Sequence, residues 1–309
     1  MIAFLNGQFV PEGQAVVSVF DRSFLYGDGL FETMRVCHGK PFRWRQHLER
    51  LQRGAEFLKL RLPLTPIELT SFAAQLIAQN QMFDGLLRLS LSRGVGPRGY
   101  SPRGANEPFL VMTCFPSPDV TEQTVGRATV AGDGFPLPFG RSECQRERSH
   151  EKMPRWKLIT SSFRVPAGEK LSTFKTCNKL PQIMARAEAE SAGADEALLL
   201  NTNGEVAEAA SSNLFWVAND EVCTTPLASG VLAGVTREVV FEICDGLALE
   251  RREVAILPAA LLKSQGVFLS LSSPGIVEAV SLDHQDLDQS LLVPGIQRAY
   301  EELVENETG

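Results

Sequence analysis

The chain has 309 residues, of which 44% are hydrophobic and 22% charged, and its formal net charge is −7. A single hydrophobic core rarely grows beyond about 250–300 residues, so this length predicts two domains. The acidic balance argues against a nucleic-acid partner, although it is compatible with a small anionic ligand. No stretch reaches the roughly 18 apolar residues that a membrane span requires.

The six cysteines are scattered along the sequence. They form no C-x-x-C pair and have no histidine at ligand spacing. We therefore expect a reduced, cytoplasmic protein without a metal site. The first ten residues lack the basic and apolar regions of a signal peptide.

In chain order, the first half predicts strands and helices of one α/β domain. Asn6-Gly7 predicts a tight turn between two short strands within residues 3–10. Further on, the patterns predict strands over 30–36, 86–92 and 109–114, a chain return over 41–44, and helices over 48–58 and 66–79. The two prolines in 115–119 follow a strand. We accordingly predict an N-terminal domain over 1–117, a linker over 118–134 and a C-terminal domain over 135–309.

The second half is more regular. Residues 141–157 carry both charge signs without periodicity and predict a solvated loop. Asn203-Gly204 predicts a hairpin between two strands. The remaining patterns predict strands over 171–174, 214–217 and 267–271, and helices from Leu180 towards Gly193 and over 235–244.

One glycine-rich segment is similar to a dinucleotide-binding motif. Residues 94–99 match G-x-G-x-x-G, and an acidic residue, Asp119, follows 20 positions later. Such a motif must open a helix, whereas the prolines and glycines of 102–108 do not favour one. We interpret the segment as a connection between two strands, in which Arg98 and Tyr100 could bind a carboxylate.

Four positions could carry chemistry, and each has the alternative of an ordinary surface or structural residue. Lys175 has apolar or small neighbours that could lower its pKa and make it a nucleophile towards an aldehyde. Glu208 ends an apolar strand and could pair with a pyridinium nitrogen. Residues 234–237 could form an anion site at a helix start, with Thr236 as the cap. Arg50 would otherwise be a solvated arginine.

The order of these features resembles the fold type IV enzymes that depend on pyridoxal 5′-phosphate (PLP). This group contains branched-chain aminotransferases, D-amino acid aminotransferases and 4-amino-4-deoxychorismate lyases. The resemblance extends from Phe4 to past Ile276. The matching blocks are residues 26–33 (YGDGLFET), 47–51 (HLERL), 175–178 (KTCN), 194–197 (ADEA), Glu208, 212–215 (SNLF), 234–237 (GVTR) and the serine-rich strand end near Ser272.

The resemblance implies a two-domain α/β fold similar to that of D-amino acid aminotransferase, with PLP between the domains of a homodimer. Lys175 would form the Schiff base with the cofactor and move protons, and Glu208 would keep the pyridine nitrogen protonated. The cofactor phosphate would be bound by Arg50, the amides of Val235 and Thr236, and Ser272.

Three blocks favour the lyase branch of the family. Arg93-Gly94 followed by residues 98–101 resembles the R-G-x-G-x-R-G-Y-S loop of some of these lyases, and residues 178–180 and 214–216 resemble their Asn-Arg-Leu and Leu-Phe-Trp. A lyase would use Lys175 and Thr33 as catalytic groups, and Arg98 and Tyr100 for the substrate carboxylate. The alternatives are a transaminase of branched-chain amino acids, D-amino acids or another primary amine, and a protein that binds PLP without turnover.

Overall fold

The computed structural model describes residues 1–116 and 154–309. It contains two β-sheets, and the gap in the described residues separates them along the chain. The predicted linker over 118–134 lies outside the described residues. The α/β class is confirmed, and the division into two domains stays a prediction that the separation of the two sheets supports.

The first sheet has six strands in the order β2-β1-β6-β5-β3-β4. The predicted turn at Asn6-Gly7 joins β1 to β2, where Asn6 has a φ of 44° and Gly7 a φ of 100°. The strands are β1 Ile2–Leu5, β2 Gln8–Pro11, β3 Gly29–Cys37, β4 Lys40–Pro41, β5 Gly85–Ser92 and β6 Phe109–Pro116.

Three helices accompany this sheet: α1 (Arg22–Tyr26), α2 (Trp44–Leu58) and α3 (Pro66–Gln79). The apolar faces of α2 and α3 pack with β1, β3, β5 and β6 in one buried cluster. The bounds of α3 agree with the prediction because its start is strongly encoded. Thr65 and Glu68 form a capping box, and Pro66 occupies the first turn.

The second sheet has nine strands, in the order β12-β11-β10-β13-β14-β7-β8-β9, with β15 paired to β14. The strands are β7 Arg155–Val165, β8 Glu196–Asn201, β9 Val206–Ala209, β10 Asn213–Ala218, β11 Glu221–Thr224, β12 Arg251–Glu253, β13 Gly266–Leu271, β14 Gly275–Leu282 and β15 Gln285–Asp286. The helices of this half are α4 Leu180–Ser191, α5 Val235–Gly246, α6 Pro258–Leu261 and α7 Leu292–Thr308, and short 3₁₀ turns cover Glu12–Gln14, Lys170–Thr173 and Leu227–Ser229.

Several local predictions were wrong. Residues 170–173 form a 3₁₀ turn rather than a strand, and Arg155 to Lys157 belong to β7 rather than to a loop. The rest of the predicted loop, residues 141–153, lies outside the described residues. Thr236 is not a cap, because α5 starts one residue before it and Gly234 is the N-cap residue.

The glycine-rich segment is confirmed as a connection between strands β5 and β6. The described residues between Gly99 and Phe109 include no helix. Gly94 has a φ of 84°, and a Cβ there would lie 1.9 Å from the carbonyl oxygen of Glu107. The glycine is therefore required by a close backbone approach rather than by a phosphate.

In the same described ranges, no helix is long and apolar enough to cross a membrane.

Candidate active site

A cavity of about 530 Å³ opens between the first sheet, helix α2 and the second half of the chain. The structure brings the six predicted cofactor residues together in its lining: Arg50, Lys175, Glu208, Val235, Thr236 and Ser272. They come from segments far apart in sequence. Phe31 of β3 forms part of the same wall.

Lys175 is placed by backbone pairing with β3. The amide of Phe31 donates to the carbonyl of Lys175 at 2.9 Å, and the amide of Cys177 donates to Gly29 at 2.9 Å. The side chain then crosses the Phe31 ring, with Nζ 4.8 Å from the ring centroid. Burial, reinforced by the charge of Arg50, lowers the pKa of Lys175 to about 8. At this pKa about one tenth of the amine is unprotonated at pH 7, far more than at its ordinary pKa of 10.5, and the unprotonated form is the nucleophile.

Arg50 belongs to a buried polar cluster with Glu32 and His47. Its Nε and Nη2 donate to the two Glu32 carboxylate oxygens at 2.8 and 2.6 Å, and Nη1 donates to the carbonyl of Ala233 at 2.9 Å. Burial alone would raise the pKa of Glu32, but Arg50 and His47 hold it at about 2. Burial lowers the pKa of His47, so we assign its proton to Nδ1, which lies 2.7 Å from Glu32.

Arg50 keeps donors for a ligand despite these contacts. They use three of the five N–H bonds of the guanidinium. The residue is only 4% exposed and faces the cavity. Glu32 therefore orients Arg50 while leaving two N–H groups for an anion, an arrangement that sequence analysis did not identify.

Glu208 reaches the cavity from β9. Its Oε2 accepts a hydrogen bond from the amide of Leu232 at 2.9 Å and a longer one from Asn213 Nδ2 at 3.3 Å. Burial raises the pKa of Glu208, although the Leu232 amide and the two cavity lysines oppose this. A carboxyl group of this kind can form a strong pair with a cationic nitrogen in the cavity.

The start of α5 and two serines form the end of the cavity near Arg50. Gly234 supplies no side-chain cap to α5, so the first amides of the helix are open to an anion. A Cβ on Gly234 would lie 2.0 Å from Asn213 Oδ1, so a larger residue at this position would displace the Asn213 side chain. The hydroxyl oxygens of Ser212 and Ser270 are buried, line the cavity and lack a hydrogen-bond partner among the described residues.

The other predicted site residues do not line this cavity within the described chain. Thr33 lies two residues after Phe31 on β3, so the two side chains share a face of the sheet. Arg98 and Tyr100 lie in the loop after β5, and Tyr100 is 89% exposed. The contact of these two residues with substrate stays a prediction, because neither side chain is part of the cavity lining in this chain.

A buried ionic cluster anchors that loop. Asp28 Oδ2 accepts hydrogen bonds from Arg22 Nε and Arg93 Nε, both at 2.8 Å. Arg22 Nη1 also donates to the carbonyl of Gly99 at 2.8 Å. Burial by itself would raise the pKa of Asp28, but Arg93 and Arg22 lower it below its ordinary value. The loop is thus held firmly on the segment that precedes β3.

Residues 29–282 match the family model of amino-transferase class IV, a span that contains every cavity residue discussed above. The chain belongs to the class IV aminotransferase family. It is therefore an enzyme of a PLP-dependent family, and the predicted fold type IV architecture is confirmed.

Relatives with different activities are similar to this enzyme. A protein from Methanocaldococcus jannaschii, provisionally named a branched-chain-amino-acid aminotransferase, is 30% identical over 92% of this chain and 88% of its own length. The aminodeoxychorismate lyase of Bacillus subtilis is 27% identical over 91% of this chain and 86% of its own length. The solved branched-chain aminotransferase of the archaeon Thermoproteus uzoniensis, in complex with norvaline, has a TM-score of 0.84 and 25% identity, with coverage of 99% of this chain and 96% of its own.

The donors of the cavity fit PLP. A phosphate needs several N–H or O–H donors, which the free N–H groups of Arg50, the α5 amides and the unpartnered hydroxyls of Ser212 and Ser270 supply. The amine of Lys175 and the carboxyl group of Glu208 match an aldehyde and a pyridine nitrogen. Sequence analysis missed Ser212 as a donor, and of the serines at the end of β13 it favoured Ser272 over Ser270.

Proposed function

We propose that the enzyme is a 4-amino-4-deoxychorismate lyase, which eliminates pyruvate and leaves 4-aminobenzoate for folate synthesis. The main support for PLP chemistry is that the amine of Lys175, with a pKa lowered to about 8, lies in the same cavity as Glu208 and Arg50. The lyase assignment rests on the loop that contains Arg98 and Tyr100, which resembles a lyase loop. We also propose a cytoplasmic location, which the five free cysteines of the described residues support.

The cavity residues have separate tasks in this proposal. Arg50, the amides of Val235 and Thr236, Ser272 and the two unpartnered serines hold the cofactor phosphate. Glu208 hydrogen-bonds to the pyridine nitrogen through the carboxyl group that Leu232 anchors. When bound, PLP supplies a protonated aromatic ring that withdraws electrons from the substrate carbon next to the amine.

Proton transfer is assigned to Lys175 and Thr33. With the substrate held in the cavity, Lys175 would act as a free amine and take the proton from carbon 4 of the substrate. Loss of that proton allows the enolpyruvyl oxygen to leave the adjacent carbon, and the ring becomes aromatic. Lys175 Nζ or the Thr33 hydroxyl, on the same face of β3 as Phe31, returns a proton to the departing pyruvate.

We further propose a homodimer in which Arg98 and Tyr100 bind substrate carboxylates in the cavity of the second copy. Their loop is held by Arg22, which pairs with Asp28, but stands outside the cavity of its own chain. Phe20, Phe24 and Val95 are exposed, and a bridge between Asp21 and Val95 joins the segments that carry them. Exposed apolar side chains on neighbouring segments are typical of an interface.

Mixed dimers test this arrangement. Co-expression of a Lys175→Ala chain with an Arg98→Ala chain should restore activity, because one of the two cavities then holds both wild-type residues. Each variant alone should have little activity. An inactive mixed dimer, or a monomer in sedimentation at micromolar concentration, would contradict the proposed partner contribution.

The second candidate is a transaminase, which the 30% identity to a relative with an aminotransferase name favours. A transaminase converts its cofactor to the amine form during each turnover, whereas the lyase does not consume an amino acceptor. The test is to incubate the holoenzyme with aminodeoxychorismate, and separately with a panel of L- and D-amino acids without acceptor. Release of pyruvate and 4-aminobenzoate supports the lyase. Full conversion of the cofactor by an amino acid, without these products, would replace the lyase by the transaminase.

A further inference from the structure

Arg43 joins helix α2 to two helices of the second half of the chain. It is the N-cap residue of α2. Its Nη1 and Nη2 donate to the two carboxylate oxygens of Glu242 on α5, at 2.9 and 2.6 Å, and Nη2 also lies 2.9 Å from Oε1 of Glu307 on α7. The side chain of Arg43 is only 7% exposed, whereas those of Glu242 and Glu307 are 52% and 38% exposed. The guanidinium group is therefore largely enclosed between the two halves.

The conformation of Arg43 is unfavourable for α2 taken alone. The residue has a φ of 56°, in the left-handed region that residues other than glycine rarely adopt. Its side chain makes no capping hydrogen bond to α2, and its Nε is buried without a hydrogen-bond partner among the described residues. Two parallel N–H···O bonds to one carboxylate are among the strongest ion-pair geometries. The pairing with Glu242 therefore favours a conformation that α2 by itself would not.

A second polar contact between α2 and the α5 segment lies at the proposed phosphate site. Arg50 Nη1 donates to the carbonyl of Ala233, two residues before α5 begins. Arg43 and Arg50 are seven residues apart, and Ala233 and Glu242 nine, so about two turns, or roughly 10 Å, separate the two contacts. The order of the contacts shows that α2 and α5 run in opposite directions.

Two separated contacts fix the relative position of two helices, whereas a single contact leaves them free to rotate about it. An aromatic contact supports the contact at Arg43. Phe42 is 5% exposed and belongs to the buried cluster of the second half, where its ring centroid lies 5.8 Å from that of Tyr300. The end of α2 that is remote from the cavity is thus held on the second half by both charge and packing.

We propose that Arg43 is a positioning residue for the cofactor phosphate. It holds α2 relative to α5 so that the free N–H groups of Arg50 and the amides of Val235 and Thr236 converge on one anion. This proposal rests on the proposed binding of the PLP phosphate by these three residues. Arg43 itself does not line the cavity, so its effect on the cofactor passes through Arg50.

The test compares PLP with pyridoxal, which lacks the phosphate. Lys175 and Glu208 are the proposed partners of the aldehyde and the ring, and both belong to the second half of the chain, so pyridoxal binding depends less on α2. Titration of the apoenzyme with each ligand gives the preference for PLP, which is the Kd of pyridoxal divided by the Kd of PLP. In Arg43→Ala this preference should fall by roughly five-fold to 50-fold, a part of the effect expected when charge-assisted hydrogen bonds to the phosphate are lost. The affinity for pyridoxal should stay close to that of the wild type.

Further variants separate the ion pair from the folding of the chain. Glu242→Gln changes a half-exposed side chain, where little effect on folding is expected, and should lower the preference by a smaller factor. Arg43→Glu and Glu242→Arg should each lower the preference, and the two together should restore most of it, because the ion pair forms again with its charges exchanged. Arg45→Ala is the matched control, because Arg45 also lies on α2 but is 81% exposed and pairs with Glu49 of the same helix.

The preference of Arg50→Ala distinguishes this proposal from the proposed function. A lowered preference in Arg50→Ala, with an unchanged one in both Arg43→Ala and Glu242→Gln, would overturn the positioning role alone. An equal loss of affinity for PLP and pyridoxal in Arg43→Ala would also overturn it, because the ion pair would then have a general structural role. An unchanged preference in Arg50→Ala would overturn the proposed phosphate site, and the positioning role with it.

Discussion

Arg50 and Lys175 face the same cavity, but their surroundings are opposite. Arg50 is engaged on three sides by Glu32 and the carbonyl of Ala233, and these contacts leave donors directed into the cavity. Within the described residues the Lys175 side chain has no hydrogen bond or ion pair; its Nζ lies 4.8 Å from the centroid of the Phe31 ring, and burial lowers its pKa. A buried cation with a carboxylate partner stabilises the fold and can also bind a ligand, whereas a buried cation without a partner lowers the stability of the fold. Removal of Arg50 should therefore destabilise the apoenzyme, and removal of Lys175 should stabilise it.

The largest expected effect is the loss of catalysis in Lys175→Ala. Turnover should fall by at least about 100-fold to 10,000-fold, the range that general acid–base catalysis contributes. Borohydride reduction followed by peptide mass spectrometry should find the cofactor on residue 175 in the wild type only. Lys170→Met serves as the control for loss of an exposed lysine. A cofactor adduct on a different lysine of the wild type would show that the assignment is wrong.

Removal of Arg50 should destabilise the apoenzyme by about 3–5 kcal/mol, because it leaves the buried carboxylate of Glu32 without its main partner. The affinity for PLP should fall as well. Urea unfolding of apo Arg50→Ala measures the first effect, and PLP titration measures the second. In the double variant with Glu32→Gln, part of the lost stability should return while the affinity for PLP stays low. Equal stability of Arg50→Ala and the wild type would contradict the pairing.

The ion pair between Glu32 and Arg50 predicts that the stability of the fold decreases at acidic pH. Glu32 has a pKa of about 2 in the folded state, below its ordinary value of 4.5. Its ionised form therefore stabilises the fold above pH 4.5, and this contribution is lost as the pH falls from 4.5 towards 2. Glu32→Gln should remove this part of the acid sensitivity, which the difference between the two unfolding curves at pH 3 and pH 6 would show.

Glu208 is intermediate between the paired Arg50 and the unpaired Lys175. One of its carboxylate oxygens accepts a hydrogen bond from the Leu232 amide, while the carboxyl group faces the cavity. Glu208→Ala should lower turnover by roughly 100-fold or more, as for the loss of other preorganised electrostatic contacts. PLP should remain bound through the phosphate site. Glu205→Ala on the preceding turn is a control for loss of a partly buried carboxylate outside the cavity lining. Near wild-type turnover of Glu208→Ala would remove this residue from the site.

The sequence predicted those parts of the molecule that local signals determine. Helix α3 begins where Pro66 and the capping box require it, and the turn at Asn6-Gly7 joins the two strands that were expected. Helix α7 was missed although Val293, Ile296, Tyr300 and Val304 recur at helical spacing. This spacing is typical of an amphipathic helix, so α7 could have been predicted from the sequence.

Other features depend on contacts between distant segments and leave no local pattern. Glu32 and Arg50 are 18 residues apart in sequence. They pair only if β3 and α2 pack against each other in one particular register. The properties of the single residues made Lys175 and Glu208 candidates, but their roles and those of the other cofactor residues came from the family resemblance. The position of Arg98 and Tyr100 outside the cavity could not be predicted, because it depends on the hydrogen bonds from Arg22 to the carbonyls of Gly99 and Tyr100.

The smallest expected effect is the most direct test of the contrast between Arg50 and Lys175. The pKa of Lys175 falls from 10.5 to about 8 on folding, so the folded apoenzyme holds this proton less strongly than the unfolded chain. The resulting penalty is present below pH 8 and disappears as the pH rises towards 10.5. Apo Lys175→Met should therefore be more stable than the apo wild type at pH 7 by about 1–3 kcal/mol, since one pKa unit corresponds to about 1.4 kcal/mol. The gain should shrink as the pH approaches 10, which distinguishes it from the hydrophobic contribution of the new methionine. Urea unfolding of both apo proteins at pH 7 and pH 10 measures this difference. A Lys175→Met variant that is less stable than the wild type at pH 7 would mean that Lys175 supports the fold as Arg50 does.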